Sequence, residues 1–264
     1  MRRLGALAAL AIVAGAFALA EPASELGAEP VIVVLGEMHD NPDHHVVQAQ
    51  WLMRYPPAAA VFEMLTPAQV AAGGGIDRDD AAALGRAYGW EAAGWPDFAI
   101  YAPVFAALPE VPLYGAALPR DAVRAAAQVG AAAVFGDGAD SFGLGPLAQA
   151  DQAAREAEQM EVHCDALPAA MMAGMVEVQR LRDAHFARVA LQALDETGGP
   201  VVVITGNGHA RRDRGIPAAI ALARPGVEVF ALGQFEAPPE GDVPYDGYFI
   251  AAPIDRGDPC AAFR

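Results

Sequence analysis

Short apolar runs punctuate this chain at residues 31–35, 58–64, 111–116, 201–204 and 227–232, with a weaker one at 248–251. Continuous runs of that length, bounded by glycine, proline or a polar residue, read as strands buried on both faces of a parallel sheet. Helical spacing fills the intervals. Asn41 is a good N-cap, and Pro42 at the first helical position predicts a helix to about residue 55, where Tyr55-Pro56-Pro57 stops it. Thr66-Pro67 starts another helix before the glycines at 73–75, and short helices carrying Trp90, Trp95 and Tyr101 are expected over 76–109. Pro119-Arg120-Asp121 opens the next helix, and 130–145 reads as loop. Helices follow at 146–161 and 168–197, the second being the longest and stopped by Gly198-Gly199-Pro200, and a last helix spans 214–224.

Strand and helix alternate at both ends but not in the middle. The expected fold is therefore α/β: a parallel β-sheet flanked by helices with a smaller inserted all-helical unit. Residues 21–119 and 198–264 would form the α/β domain and 120–197 the inserted helical unit. Residues 1–20 read as a signal peptide: Arg2 and Arg3, an apolar run from Leu4 to Phe17, then Ala18-Leu19-Ala20 as a cleavage pattern. Cleavage after Ala20 would give an exported, periplasmic protein, and no later stretch is apolar enough to span a bilayer.

Charge narrows the partners. The 264 residues carry 33 acidic side chains against 17 basic ones, a formal charge of −16. Nucleic acid demands a basic footprint and is not an expected partner, nor is an anionic membrane surface. Cys164 and Cys260 are the two cysteines. In an oxidising compartment a disulfide is permitted, and a disulfide or two unpaired thiols ranks ahead of a His163-Cys164 metal role.

The candidate chemistry lies where strands end. Gly36-Glu37-Met38-His39 follows the first strand and Gly206-Asn207-Gly208-His209 the one at 201–204. Sites in open α/β sheets form beyond the carboxyl ends of strands, so the two histidines can meet across one crevice. Glu37 and His39 alternate along extended chain and can face that crevice together. Glu63 closes the second strand as Glu37 closes the first. Two strand-end carboxylates can hold a divalent metal, with His209 as third ligand, or can split their pKa values for acid–base work. Asp40 and Asn41 are most simply caps, and at least one of His44 and His45 reads as a solvated helix residue. Gln179 and Asp183 lie one turn apart and share a helix face. H-E-x-x-H, G-x-S-x-G, Walker A and C-x-x-C are all absent.

Gly36-Glu37-Met38-His39-Asp40-Asn41, then His44-His45 and Gln48, resembles the opening motif of the ChaN-like family of haem-binding proteins. The resemblance continues through Phe62-Glu63-Met64, Tyr101 with Pro103, Ala116-Ala117-Leu118-Pro119-Arg120, His163-Cys164, Gln179 with Arg182-Asp183, and Gly206-Asn207-Gly208-His209-Ala210-Arg211. Ala117 stands where the family pattern has Asn. The resemblance implies haem binding linked to iron uptake, a tyrosine as iron ligand, and homodimers enclosing haem. Tyr101 is the first matching tyrosine, then Tyr88 and Tyr55. His39, His44 and His163 would be further cofactor-binding groups, with Arg120, Arg211 and Arg212 toward the propionates. The wider superfamily also holds erythromycin esterases and Tiki-type metalloproteases. The alternative expectation is thus a metal-dependent or acid–base hydrolase using Glu37, His39, Glu63 and His209, and a third reading is an inert polar network.

Overall fold

The computed structural model describes residues 31–258 and 260–261; the expected signal peptide lies outside them. Six parallel strands form one sheet: β1 (Ile32–Leu35), β2 (Ala59–Phe62), β3 (Leu113–Gly115), β4 (Val201–Ile204), β5 (Val229–Phe235) and β6 (Gly247–Ile250). Their order is β3-β2-β4-β1-β5-β6. Eleven α-helices are described: α1 (Pro42–Arg54), α2 (Pro67–Ala72), α3 (Ala81–Ala87), α4 (Trp90–Ala93), α5 (Phe98–Ala107), α6 (Arg120–Val129), α7 (Ala131–Phe135), α8 (Gln149–Val162), α9 (Met172–Thr197), α10 (Asn207–Ala210) and α11 (Ile216–Ala223). The parallel sheet flanked by helices, with a helical insertion over α6–α9, is the architecture the hydrophobic pattern predicts.

Local chemistry sets the boundaries. The Asn41 side chain accepts the Asp43 N–H at 3.0 Å, and Pro42 occupies the first turn of α1. Thr66 and Gln69 form a capping box at the start of α2. The expected loop at 130–145 instead contains α7, whose Phe135 packs on Phe142 at 5.1 Å. A glycine-rich stretch can still form one buried turn when aromatic residues anchor it.

The pleat divides the sheet into two faces. Leu35, Phe62, Ile204 and Leu232 face α1 and α5, where Phe62 stacks on Phe105 at 4.7 Å. Val34, Val61 and Val203 face Phe186, Ala190 and Ile220 from α9 and α11. The earlier part of α9 joins a separate small core with α6 and α7 through Leu181 and Ala184. One long helix thus belongs to both the insertion and the sheet layers.

Register decides where the site lies. Leu35 and Phe62 both pair with Ile204, so β1, β4 and β2 end in line. The chain leaves β1 toward α1 on one face and leaves β4 toward α11 on the other. Neighbouring strands whose connections depart to opposite faces create the crevice at a topological switch point.

Candidate functional site

The first polar residues beyond β1, β2 and β4 meet at that crevice. Two turns close on each other through the backbone: the Asn207 N–H donates to the Glu37 carbonyl at 2.9 Å. Gly36 is required there, because a Cβ would come within 2.5 Å of the Asn207 side-chain oxygen. Asn207 is held in turn by β5, its Oδ1 accepting the Gln234 N–H at 2.9 Å.

Glu37 is buried and fully occupied. Its Oε1 accepts from the Tyr101 hydroxyl at 2.6 Å and from His39 Nδ1 at 2.7 Å. Its Oε2 accepts from Gln48 Nε2 at 2.7 Å and lies 3.4 Å from His45 Nδ1. Burial works against the charge, yet the bonds from His39 and His45 hold the carboxyl down to about 2. A buried carboxylate with this many donors remains ionised.

Glu63 forms the second station. Its Oε2 accepts from the Thr205 hydroxyl at 2.7 Å and the Gly206 N–H at 2.8 Å. Its Oε1 lies 3.5 Å from His209 Nε2 and 4.0 Å from His39 Nε2. No arginine joins it among the described residues. Burial opposes ionisation, but the positive charge of His209, its hydrogen bond and the Gly206 N–H hold Glu63 well below the usual range.

Asp183 completes this station, accepting from His209 Nδ1 at 2.6 Å, with the Gln179 amide 3.0 Å from the same nitrogen. Both His209 nitrogens therefore face carboxylates. Burial disfavours its cation, but Glu63 and then Asp183 push its pKa up to about 10. His39 is also raised, against burial, by Glu37 and Glu63. His39 links the stations: Nδ1 on Glu37, Nε2 toward Glu63, its ring edge-on to Trp95 at 5.0 Å. Its side chain is 31% exposed, so it is the open side of an otherwise buried cluster. A Cβ on Gly206 would stand 3.0 Å from His39 Nε2, which leaves that position to glycine.

Glu37, His39, Glu63 and His209 are thus brought together as expected. Among the described residues no group of three or more His, Cys, Asp or Glu side chains stands out as a metal site, so nothing there adds support to the metal set Glu37, Glu63 and His209. Glu37 is closed by Tyr101, His39 and Gln48, whereas Glu63 and His209 satisfy each other. Both His44 and His45 are fully buried, which corrects the expectation of a solvated one. His44 accepts the Met38 N–H at 2.9 Å, and burial keeps it neutral by lowering its pKa. Such an imidazole is a bracket for the β1 turn, with its Nε2 buried and without a hydrogen-bond partner among the described residues. Asp40 serves Arg256 rather than a cap, at 2.6 and 2.7 Å.

Tyr101 also departs from expectation. Its ring is fully buried, tilted against His45 at 3.9 Å and edge-on to Trp90 at 4.8 Å. Burial and the charge of Glu37 push the phenol well above its ordinary pKa. Tyr88 is buried as well, while Tyr55 is 38% exposed. His163 ends α8 with Nδ1 on the Gln159 carbonyl at 2.7 Å, Arg120 starts α6 exposed, and Arg211 pairs with Asp213 at 2.6 Å. None of these three belongs to the carboxylate–imidazole cluster. Asp183 joins the site from outside the expected set, and the sequence signal for it is the helix face it shares with Gln179.

Residues 25–220 match the family model described as haem-binding uptake, Tiki superfamily, ChaN. Among solved structures the chain is similar to ChaN of Campylobacter jejuni, described for cofacial heme binding, at 16% identity and a TM-score of 0.57. That likeness covers 82% of this chain and 85% of the other, and it bears on the fold alone. A succinoglycan biosynthesis protein shows 12% identity and a TM-score of 0.36, over 78% of this chain and 66% of that one. No curated protein matches the chain.

Proposed function

The chain belongs to the ChaN family of haem-binding uptake proteins in the Tiki superfamily, and from that premise we propose that it is an exported protein that binds haem and serves iron uptake. The family match over residues 25–220 carries the reading, since it runs from before β1 into α11. When bound, haem brings a metal-centred apolar plate with two carboxylate arms, and the chain must supply an apolar surface with a reachable ligand. The outer side of α1 fits that need. Val46 and Met53, two turns apart on one helix face, are exposed, and exposed Tyr55 follows directly after the helix. The Tyr55 ring packs on Trp51 at 5.2 Å, and Arg54 Nε donates to its oxygen at 2.9 Å. Tyr55 therefore replaces buried Tyr101 as the phenol that would hold the iron, and a second copy of the chain facing α1 would shield the plate. In a haemin titration followed by absorbance, wild-type protein should give a saturable Soret shift that Tyr55→Phe displaces. A shift untouched by Tyr55→Phe would overturn the ligand, and no saturable shift would overturn haem binding.

A second reading, an acid–base hydrolase, is favoured by one observation: two carboxylate–imidazole stations joined through His39 at a switch point. His39, oriented by Glu37 and open on one side, is positioned to move a proton, while Asp183 and Glu63 hold His209 as a cation. An ester and peptide panel tests it, with Glu37→Gln expected to stop turnover. Absence of turnover by well-folded wild-type protein would sink it.

A further inference from the structure

A cavity of about 180 Å3 opens between α8, α9, α10 and the loop that follows α10. Its inner wall includes Gln179, Asp183 and Gly208, so it abuts the imidazole's Nδ1 partners. Arg155, Arg211 and Arg214 also line it. Three of the 17 basic residues thus surround one small space in a chain of formal charge −16.

Each arginine has an acidic partner: Asp151, Asp213 and Glu158 respectively. The pairs are lopsided. The guanidinium side chains are 17–26% exposed and their partners 42–47%. Glu158 and Asp183 line the cavity as well, so three arginines face two carboxylates there, while Asp151 and Asp213 lie outside the lining and are screened by water. Arg155 and Arg211 each present Nε and Nη2 to the partner, at 2.6–3.0 Å, which leaves Nη1 for another acceptor. Val162 and Val176 provide apolar wall.

We propose that this cavity is a binding site for a short-chain organic anion, with its carboxylate met by the three arginines and its aliphatic part by the two valines. Its volume admits a molecule of a few carbons and excludes a porphyrin, so the site is separate from the haem surface and does not rest on the haem reading. An occupant would touch Gln179 and Asp183 and so sense the His209 station.

Calorimetric titration of the full chain with succinate tests this, with inorganic phosphate as the inorganic comparison. Wild type should bind succinate saturably, at least tenfold tighter than phosphate. Arg155→Gln and Arg214→Gln should each weaken succinate at least tenfold, whereas Arg212→Gln, outside the cavity, should not. Haemin titration of Arg155→Gln and Arg214→Gln should be unchanged. No succinate binding up to millimolar concentration, or equal binding by wild type and both cavity variants, would overturn the proposal. Equal binding of phosphate and succinate would overturn the organic part of it. A loss of haemin binding in the cavity variants would overturn the separation of the two sites.

Discussion

Glu63 and His209 meet at 3.5 Å, carboxylate to imidazole, although one closes β2 and the other lies a full turn beyond β4. The contact exists because Phe62 and Ile204 are register partners, which leaves both groups at one edge of the sheet.

Stability should peak in mildly acidic solution. The folded His209 value of about 10 lies above its ordinary 6.5, so its contribution is complete below pH 6.5 and is lost as pH rises toward 10. Glu37 runs the other way: held at about 2 against an ordinary 4.5, it contributes fully above pH 4.5 and loses that as pH falls toward 2. Urea midpoints measured across pH should therefore be highest between 4.5 and 6.5. His209→Asn should flatten the alkaline limb and Glu37→Gln the acid limb. A variant His209→Asn with the same alkaline slope as wild type would refute the assignment.

Tyr101→Phe removes one donor from a buried, ionised Glu37 and keeps the ring. A hydrogen bond to a charged group is worth about 2 kcal/mol, and urea denaturation should show a loss of that order. The haemin spectrum of the variant should match wild type, since the phenol is inside the protein.

Gly206→Ala should disturb His39 selectively. The added methyl would stand 3.0 Å from His39 Nε2, and overpacking of this kind costs about 1–3 kcal/mol. Imidazole NMR resonances give the readout: His39 should move, and His44, on the other side of the β1 turn, should stay.

Cys164 and Cys260 are joined in a disulfide, 96 residues apart in sequence. Cys260→Ser should cost about 2–5 kcal/mol. Wild-type protein melted in reductant should lose the same amount, and no difference between oxidised and reduced protein would contradict it.

Much of this was legible in the sequence because strands and their ends are. The valine-rich runs placed β1 and β4, and the residues beyond them could be named as one crevice before any register was known. Burial was not legible. His44 and His45 stand near the start of an amphipathic helix, where spacing alone allows a solvated histidine, yet each has its own backbone or side-chain partner inside. Tyr101 matched a motif, but only the packing of α5 against α1 shows that its hydroxyl serves Glu37. Asp183 lies far from His209 along the chain, and the turn of α9 that delivers it belongs to a helix shared by two cores. Of the cavity arginines only Arg211 belongs to a motif; they come from α8 and the loop after α10 and acquire meaning only by facing one space.

The disulfide also makes part of the molecule a covalent ring. From Cys164 the backbone runs through α9, β4, β5 and β6, and the bridge to Cys260 closes the circuit. Gln179, Asp183, Gly206 and His209 lie within the ring, while Glu37, His39, Glu63 and Tyr101 lie on the segment before it. The site is assembled between a circle and a linear arm. A protease cut anywhere in the circle would leave both pieces attached under oxidising conditions. A cut between Tyr101 and Cys164 would instead sever the arm's covalent link, leaving the two halves of the polar cluster joined through the sheet and its hydrogen bonds.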